Sequence, residues 1–97
     1  MDKVLYFNNL FTIYKELLTA KEQEIFSLYY EENLSMGEIA LNKSISRSAV
    51  GNTIKIVENK LEKYESILRI LEKEEKLKEM ISRCENEKLR TELETLL

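Results

Sequence analysis

The 97-residue chain contains no proline, no histidine, one cysteine and two glycines. Each shortage excludes something. With no proline, and glycine only at Gly37 and Gly51, the usual punctuation of sheets and long loops is missing. The lone thiol, Cys84, cannot form an intrachain disulfide. One cysteine without any histidine cannot build a usual Cys/His zinc site. No apolar run is long enough to span a bilayer, and no charged leader with a cleavage site opens the chain. The expectation is therefore a soluble protein of the reducing cytoplasm, without membrane insertion. A nucleophile–base pair, a metal set and a phosphate loop are also missing, so binding rather than catalysis is expected, with no cofactor.

What is present is helix-forming. Glu, Lys and Leu dominate, and all three favour helices. The net charge of −3 is unevenly spread. Residues 1–34 hold three lysines and six acids, and residues 65–97 hold seven bases and nine acids. Only residues 35–64, with five bases against three acids, are net basic. That bias is mild, so strong non-specific attraction to phosphate is not expected.

Hydrophobic spacing predicts a helix over residues 3–18, with Asp2 as N-cap and Val4, Phe7, Phe11, Tyr14 and Leu18 recurring at threes and fours. Leu10 and Leu17 widen the stripe. Thr19-Ala20-Lys21-Glu22 has the form of a capping box, with Leu18 placed as a hydrophobic staple. It opens a second helix whose Ile25, Leu28 and Tyr29 face inward beside Phe26. Ser35-Met36-Gly37-Glu38 repeats the device for a short third helix ending near Asn42-Lys43-Ser44. Ser46 caps a fourth helix, where Val50, Ile54, Val57, Leu61 and Tyr64 form a core stripe. The opposite stripe, Ser48, Gly51, Asn52 and Lys55, is small or polar throughout. Beyond Tyr64 the chain stays helical in character. Leu68 and Leu71 continue the seam, a second seam runs through Ile67, Ile70, Leu77, Ile81 and Cys84, and Asn86 interrupts before a last amphipathic turn.

Two capped helices separated by a turn of three or four residues, the second carrying a core stripe and a bare polar stripe, have the shape of a helix-turn-helix. Ala40 is small where the two helices approach, Ile45 plugs the core at the turn and Val50 anchors the second helix. The predicted fold is all-α: a helix-turn-helix domain over 1–64 with an N-terminal helix, and a C-terminal helical extension over 65–97 that packs back or dimerises.

Residues 18–61 resemble region 4 of bacterial sigma factors in the order of their parts, including Glu38-Ile39-Ala40 and Ile45-Ser46-Arg47. More closely, the chain resembles the YlxM family of DNA-binding helix-turn-helix proteins. The resemblance is carried by Leu28-Tyr29-Tyr30, by Leu34-Ser35-Met36-Gly37-Glu38-Ile39-Ala40, by residues 45–50 and by Glu62-Lys63-Tyr64-Glu65. It is strongest over 18–64. It implies a regulator linked to the signal recognition particle pathway, an association that comes from gene neighbourhood rather than mechanism. The chain departs from the family at Gly51, where a larger side chain is usual, at Asn52-Thr53, and at Ser44, where such turns often use glycine and a left-handed backbone is expected.

The candidate nucleic-acid contacts are Lys43, Ser46, Arg47, Ser48, Gly51, Asn52 and Lys55. Arg47 has the geometry to pair with a guanine edge or clamp a phosphate, against the plain reading of a local ion pair. Lys43 and Lys55 suit phosphates, against the default of solvated lysines. Ser46 is first a helix cap, though the cap also presents amide donors. Asn52 could read adenine or simply face water. Tyr29 is the better core candidate of the tyrosine pair, and Cys84 reads as a buried small hydrophobe. Leu68, Leu71, Leu77, Met80 and Ile81 form the candidate dimer or packing seam. Double-stranded DNA bound by a homodimer is the leading expectation. The alternatives are RNA or another component of the signal recognition particle, and a protein-binding adaptor.

Overall fold

A computed structural model describes residues 2–97. Six helices follow one another: α1 (Lys3–Tyr14), α2 (Ala20–Tyr30), α3 (Met36–Lys43), α4 (Arg47–Leu68), α5 (Ile70–Ser82) and α6 (Glu87–Glu94). A 3-10 turn, Lys15–Leu17, closes α1. There is no strand among the described residues, and no helix there is long and apolar enough to cross a membrane.

The caps form where the local sequence places them. Asp2 accepts from the amide of Val4. Thr19 and Ser35 each complete a reciprocal box, with Glu22 and Glu38 bonding back to the cap amides. Each such cap is worth about 1 kcal/mol. Burial opposes ionisation of Glu22, but the Lys60 ammonium and the Thr19 donors outweigh it and hold the carboxyl below its usual range. The Ser35 amide and hydroxyl do the same for Glu38. Folded-state values below the unfolded ones mean that both caps stabilise the fold above the ordinary carboxylate pKa. That contribution fades as pH falls through the lowered values. Leu18 is buried but does not staple a hydrophobic partner. The matching position in α2 is Gln23, whose side-chain amide donates to the Leu18 carbonyl at 3.1 Å.

The core is set by α1, α2 and the inner edge of α4. Phe26 is fully buried, with ring centroids 4.5 Å from Tyr30, 5.1 Å from Phe11 and 6.4 Å from Phe7. Val50, Ile54, Val57 and Leu61 of α4 press into this cluster, with Ile39 of α3 beside them. Polar staples run around the rim. Lys60 meets Glu22 at 2.7 Å, and the Tyr30 hydroxyl donates to Glu58, which also lies 3.7 Å from Lys3.

Several expectations are corrected. Val4 and Leu17 are exposed rather than core. Val4 sits in the first turn, and Leu17 is rotated off the stripe because the chain tightens to three residues per turn after Tyr14. Of the adjacent pair, Tyr30 rather than Tyr29 is buried, since Glu58 of α4 gives its hydroxyl an acceptor; Tyr29 is half-buried. Cys84 is half-buried, its thiol donating to the Asn86 carbonyl at 3.4 Å. Asn86 caps α6 through the amide of Leu89. Beyond Tyr64 the chain stays helical, as expected, with α4 running to Leu68 before the chain turns at Arg69, which takes a left-handed backbone with φ 52°. That turn sends α5 back toward α1, and it buries Leu71 within the chain. Leu68 and Met80 remain exposed, while Leu77 and Ile81 are half-buried.

Candidate nucleic-acid interface

The turn between α3 and α4 is built by backbone bonds. Ser44 adopts φ 55°, ψ 43°, and the Ile45 amide reaches back to the Ala40 carbonyl at 3.1 Å. This is the left-handed helix ending that glycine usually occupies. Ser46 is then extended, and its hydroxyl accepts from the Ala49 amide at 3.0 Å. Ala40 and Ile45 are half-buried between the two helices.

α4 therefore starts with its apolar edge locked down. Arg47, Ser48, Asn52 and Lys55 lie on the other side and are exposed. No carboxylate lies within ion-pair distance of Arg47 or Lys55 among the described residues. The first turn of α4 also carries no acid, whereas α2 and α3 hold Glu22 and Glu38 there. The third residue of α4 is Ala49, so no side chain folds back over the helix start. Its partial positive charge is left facing solvent. The C-terminal tail does not cover this edge: α5 packs on α1 and α6 packs on α5.

Two predicted contacts sit elsewhere. Lys43 is engaged by Glu24 of α2 at 2.7 Å, with its side chain largely covered, so it reaches a ligand only by breaking that pair. Gly51 is half-buried under α3 rather than on the outer stripe. A Cβ there would stand 3.6 Å from the Met36 sulfur, an ordinary contact.

Gly51 and Ser44 together invite a test. The helix carries the glycine and the left-handed turn carries the serine, each where the other residue would cost less. Gly51→Ala is expected to raise stability by about 1 kcal/mol, and Ser44→Gly by up to about 1 kcal/mol, read as shifts in the urea midpoint at constant slope. A loss on Gly51→Ala would mean that Met36 cannot give way.

One cluster was invisible to periodicity. The carboxylate of Glu65, near the end of α4, accepts from the Tyr14 hydroxyl at 2.6 Å and from the amides of Leu71 and Glu72, both at 3.1 Å. The same Tyr14 oxygen accepts from the Ile70 amide at 3.2 Å. The first three amides of α5 are thus satisfied by residues outside it, because Arg69 supplies no side-chain cap. The partners are up to 56 residues apart, and no local spacing signals them.

Comparison with known proteins places the chain among relatives that match most of its length. It is 46% identical to the UPF0122 protein of Halalkalibacterium halodurans over 81 residues, covering 84% of this chain and 74% of that one. It is 42% identical to UPF0122 protein YlxM of Bacillus subtilis over 83 residues, covering 86% and 76%. The UPF0122 protein of Bacillus thuringiensis matches at 40% over 105 aligned positions, covering 99% and 96%. A family model described as "Putative helix-turn-helix protein, YlxM / p13 like" matches residues 1–96. The helix-turn-helix built by α3 and α4 agrees with that description, and the chain belongs to the UPF0122 family.

Proposed function

We propose that the chain is a regulatory DNA-binding protein that lays the first turns of α4 in the major groove. The observation that carries this is the two-sided character of α4. Val50, Ile54, Val57 and Leu61 are buried, while Arg47, Ser48, Asn52 and Lys55 stand exposed with no acid over the helix start. In this reading Arg47 takes a guanine edge or a flanking phosphate, Asn52 takes a base edge, and Lys55 takes the backbone. The uncovered amides at the Ser46 cap receive a second phosphate. Duplex DNA is favoured over duplex RNA because the major groove of A-form RNA is too deep and narrow for a helix. One such helix makes few base contacts, so two chains on half-sites about one helical turn apart would complete the site.

A binding titration against genomic DNA fragments and structured RNA, repeated across salt concentrations, tests the reading. Arg47→Ala is expected to weaken specific DNA binding by about 5- to 150-fold, the cost of one bidentate base pairing. Lys55→Ala is expected to weaken all sequences alike and to lower the salt slope by about one. Both positions are exposed and internally unpaired, so the folded state is expected to be unchanged. Equal binding by wild type and both variants rejects the assignment. Preference for structured RNA over duplex DNA rejects the groove geometry.

A further inference from the structure

We propose that α4 holds the DNA backbone with Asn59 and Lys63, beyond the turns that meet the bases, an inference that rests on the DNA reading above. Asn59 follows Asn52 by seven residues and Ser48 by eleven, which places it within about 20° of both around the helix axis. Lys63 comes one turn later on the same edge. Both side chains are exposed. The Asn59 side chain has no hydrogen-bonding partner within the chain among the described residues. Of the four cations of α4, Lys60 is taken by Glu22 at 2.7 Å, whereas Arg47, Lys55 and Lys63 have no carboxylate within ion-pair distance among the described residues.

The acids of α4 are kept off this edge. Glu58, Glu62 and Glu65 recur at four and three, so they form a stripe of their own. The Tyr30 hydroxyl donates to Glu58, and the Tyr14 hydroxyl donates to Glu65 at 2.6 Å. Burial, and then the Glu62 and Glu65 carboxylates, push the Tyr6 phenol above its ordinary value, so Glu62 also lies toward α1. The edge shared by Ser48, Asn52, Asn59 and Lys63 therefore runs for about four turns without an acid. The α5–α6 hairpin lies against α1 and leaves it open. At about 1.5 Å per residue, Asn59 stands about 18 Å and Lys63 about 24 Å along the axis from Arg47. The major groove is about 12 Å wide, so a straight helix that enters by its N-terminus has crossed to the phosphate rim at that distance. The chemistry agrees with the position. An amide and an ammonium both donate, and phosphate oxygens accept.

Titration of the full chain with a mixed-sequence DNA duplex of about three helical turns, across salt concentrations, tests the assignment, with Lys55→Ala as the reference. Asn59→Ala is expected to weaken binding about fivefold and to leave the salt slope unchanged, because a neutral donor displaces no counterion. Lys63→Ala is expected to weaken binding by a similar factor and to lower the slope by about one. Asn59→Lys is expected to tighten binding and to raise the slope by about one, a gain that unfolding cannot imitate. Circular dichroism checks that each variant remains helical. Wild-type affinity and slope in the Asn59 and Lys63 variants, while Lys55→Ala weakens binding, overturn the proposal and leave the groove reading standing. A loss in Asn59→Ala confined to particular genomic fragments, absent on the mixed-sequence duplex, makes Asn59 a base reader and overturns the backbone assignment. A wild type that does not bind duplex DNA at low salt overturns both.

Discussion

Replacing Phe26 by alanine is expected to cost about 3–5 kcal/mol, which is a large fraction of the stability of a domain this size. The ring is fully buried and touches three other aromatic rings from two helices. Its removal opens a cavity that the surrounding rings cannot fill by small shifts, because they are held by one another and by the Tyr30–Glu58 bond. Phe26→Leu, which keeps most of the volume, should lose far less. Urea or thermal unfolding followed by circular dichroism measures both. DNA binding by Phe26→Ala should fail in step with unfolding and recover where the folded fraction recovers, since Phe26 lies on the inner side of the molecule. A loss below about 1 kcal/mol would show that α1, α2 and α4 do not share one core there.

Glu65→Ala is expected to have the second largest effect, and a more local one. It removes the acceptor of a buried tyrosine hydroxyl and of two backbone amides at the start of α5. Hydrogen bonds to a charged acceptor contribute about 1.5–3 kcal/mol, and the donors left behind add to the cost. α5 should loosen from α1 while the α3–α4 unit stays folded. Hydrogen exchange is the discriminating measurement: the amides of Ile70, Leu71 and Glu72 should lose protection by about two orders of magnitude, and those of Val50 to Val57 should not. Tyr14→Phe should do the same more weakly, since it leaves Glu65 bonded to Leu71 and Glu72. Unchanged protection of α5 in Glu65→Ala would mean that Leu71 alone holds the hairpin.

The Tyr14 phenol gives an independent reading of the same cluster. Burial first, and then the bond to Glu65, push it up to about 12. A folded-state value above the ordinary 10.0 means the neutral phenol is the stabilising form. Its contribution is complete below pH 10 and is lost as pH rises through 12. In Glu65→Ala the phenol should titrate closer to its ordinary value.

The helices themselves were legible because capping and amphipathic spacing act within four residues. Thr19, Ser35 and Ser46 each needed only the next few residues to become caps, and the Val50–Ile54–Val57–Leu61 rhythm needed only the helical repeat. Even the left-handed serine at position 44 followed from the absence of a glycine in a turn that demands that backbone. Those local rules placed Arg47, Ser48, Asn52 and Lys55 on one edge of α4. By contrast, only the tertiary structure decided which of two adjacent tyrosines goes inside, that Lys43 is taken by Glu24, and that Gly51 lies beneath Met36. It also decided that the chain turns at Arg69 and is held there by Tyr14 and Glu65. The physical reason is range. An electrostatic or hydrogen-bonding partner supplied from another helix leaves no mark on the spacing of neighbouring residues, so the sequence alone determined the helical character, the caps and the outward edge of α4, while the packing determined where the last long helix breaks and which polar groups are free.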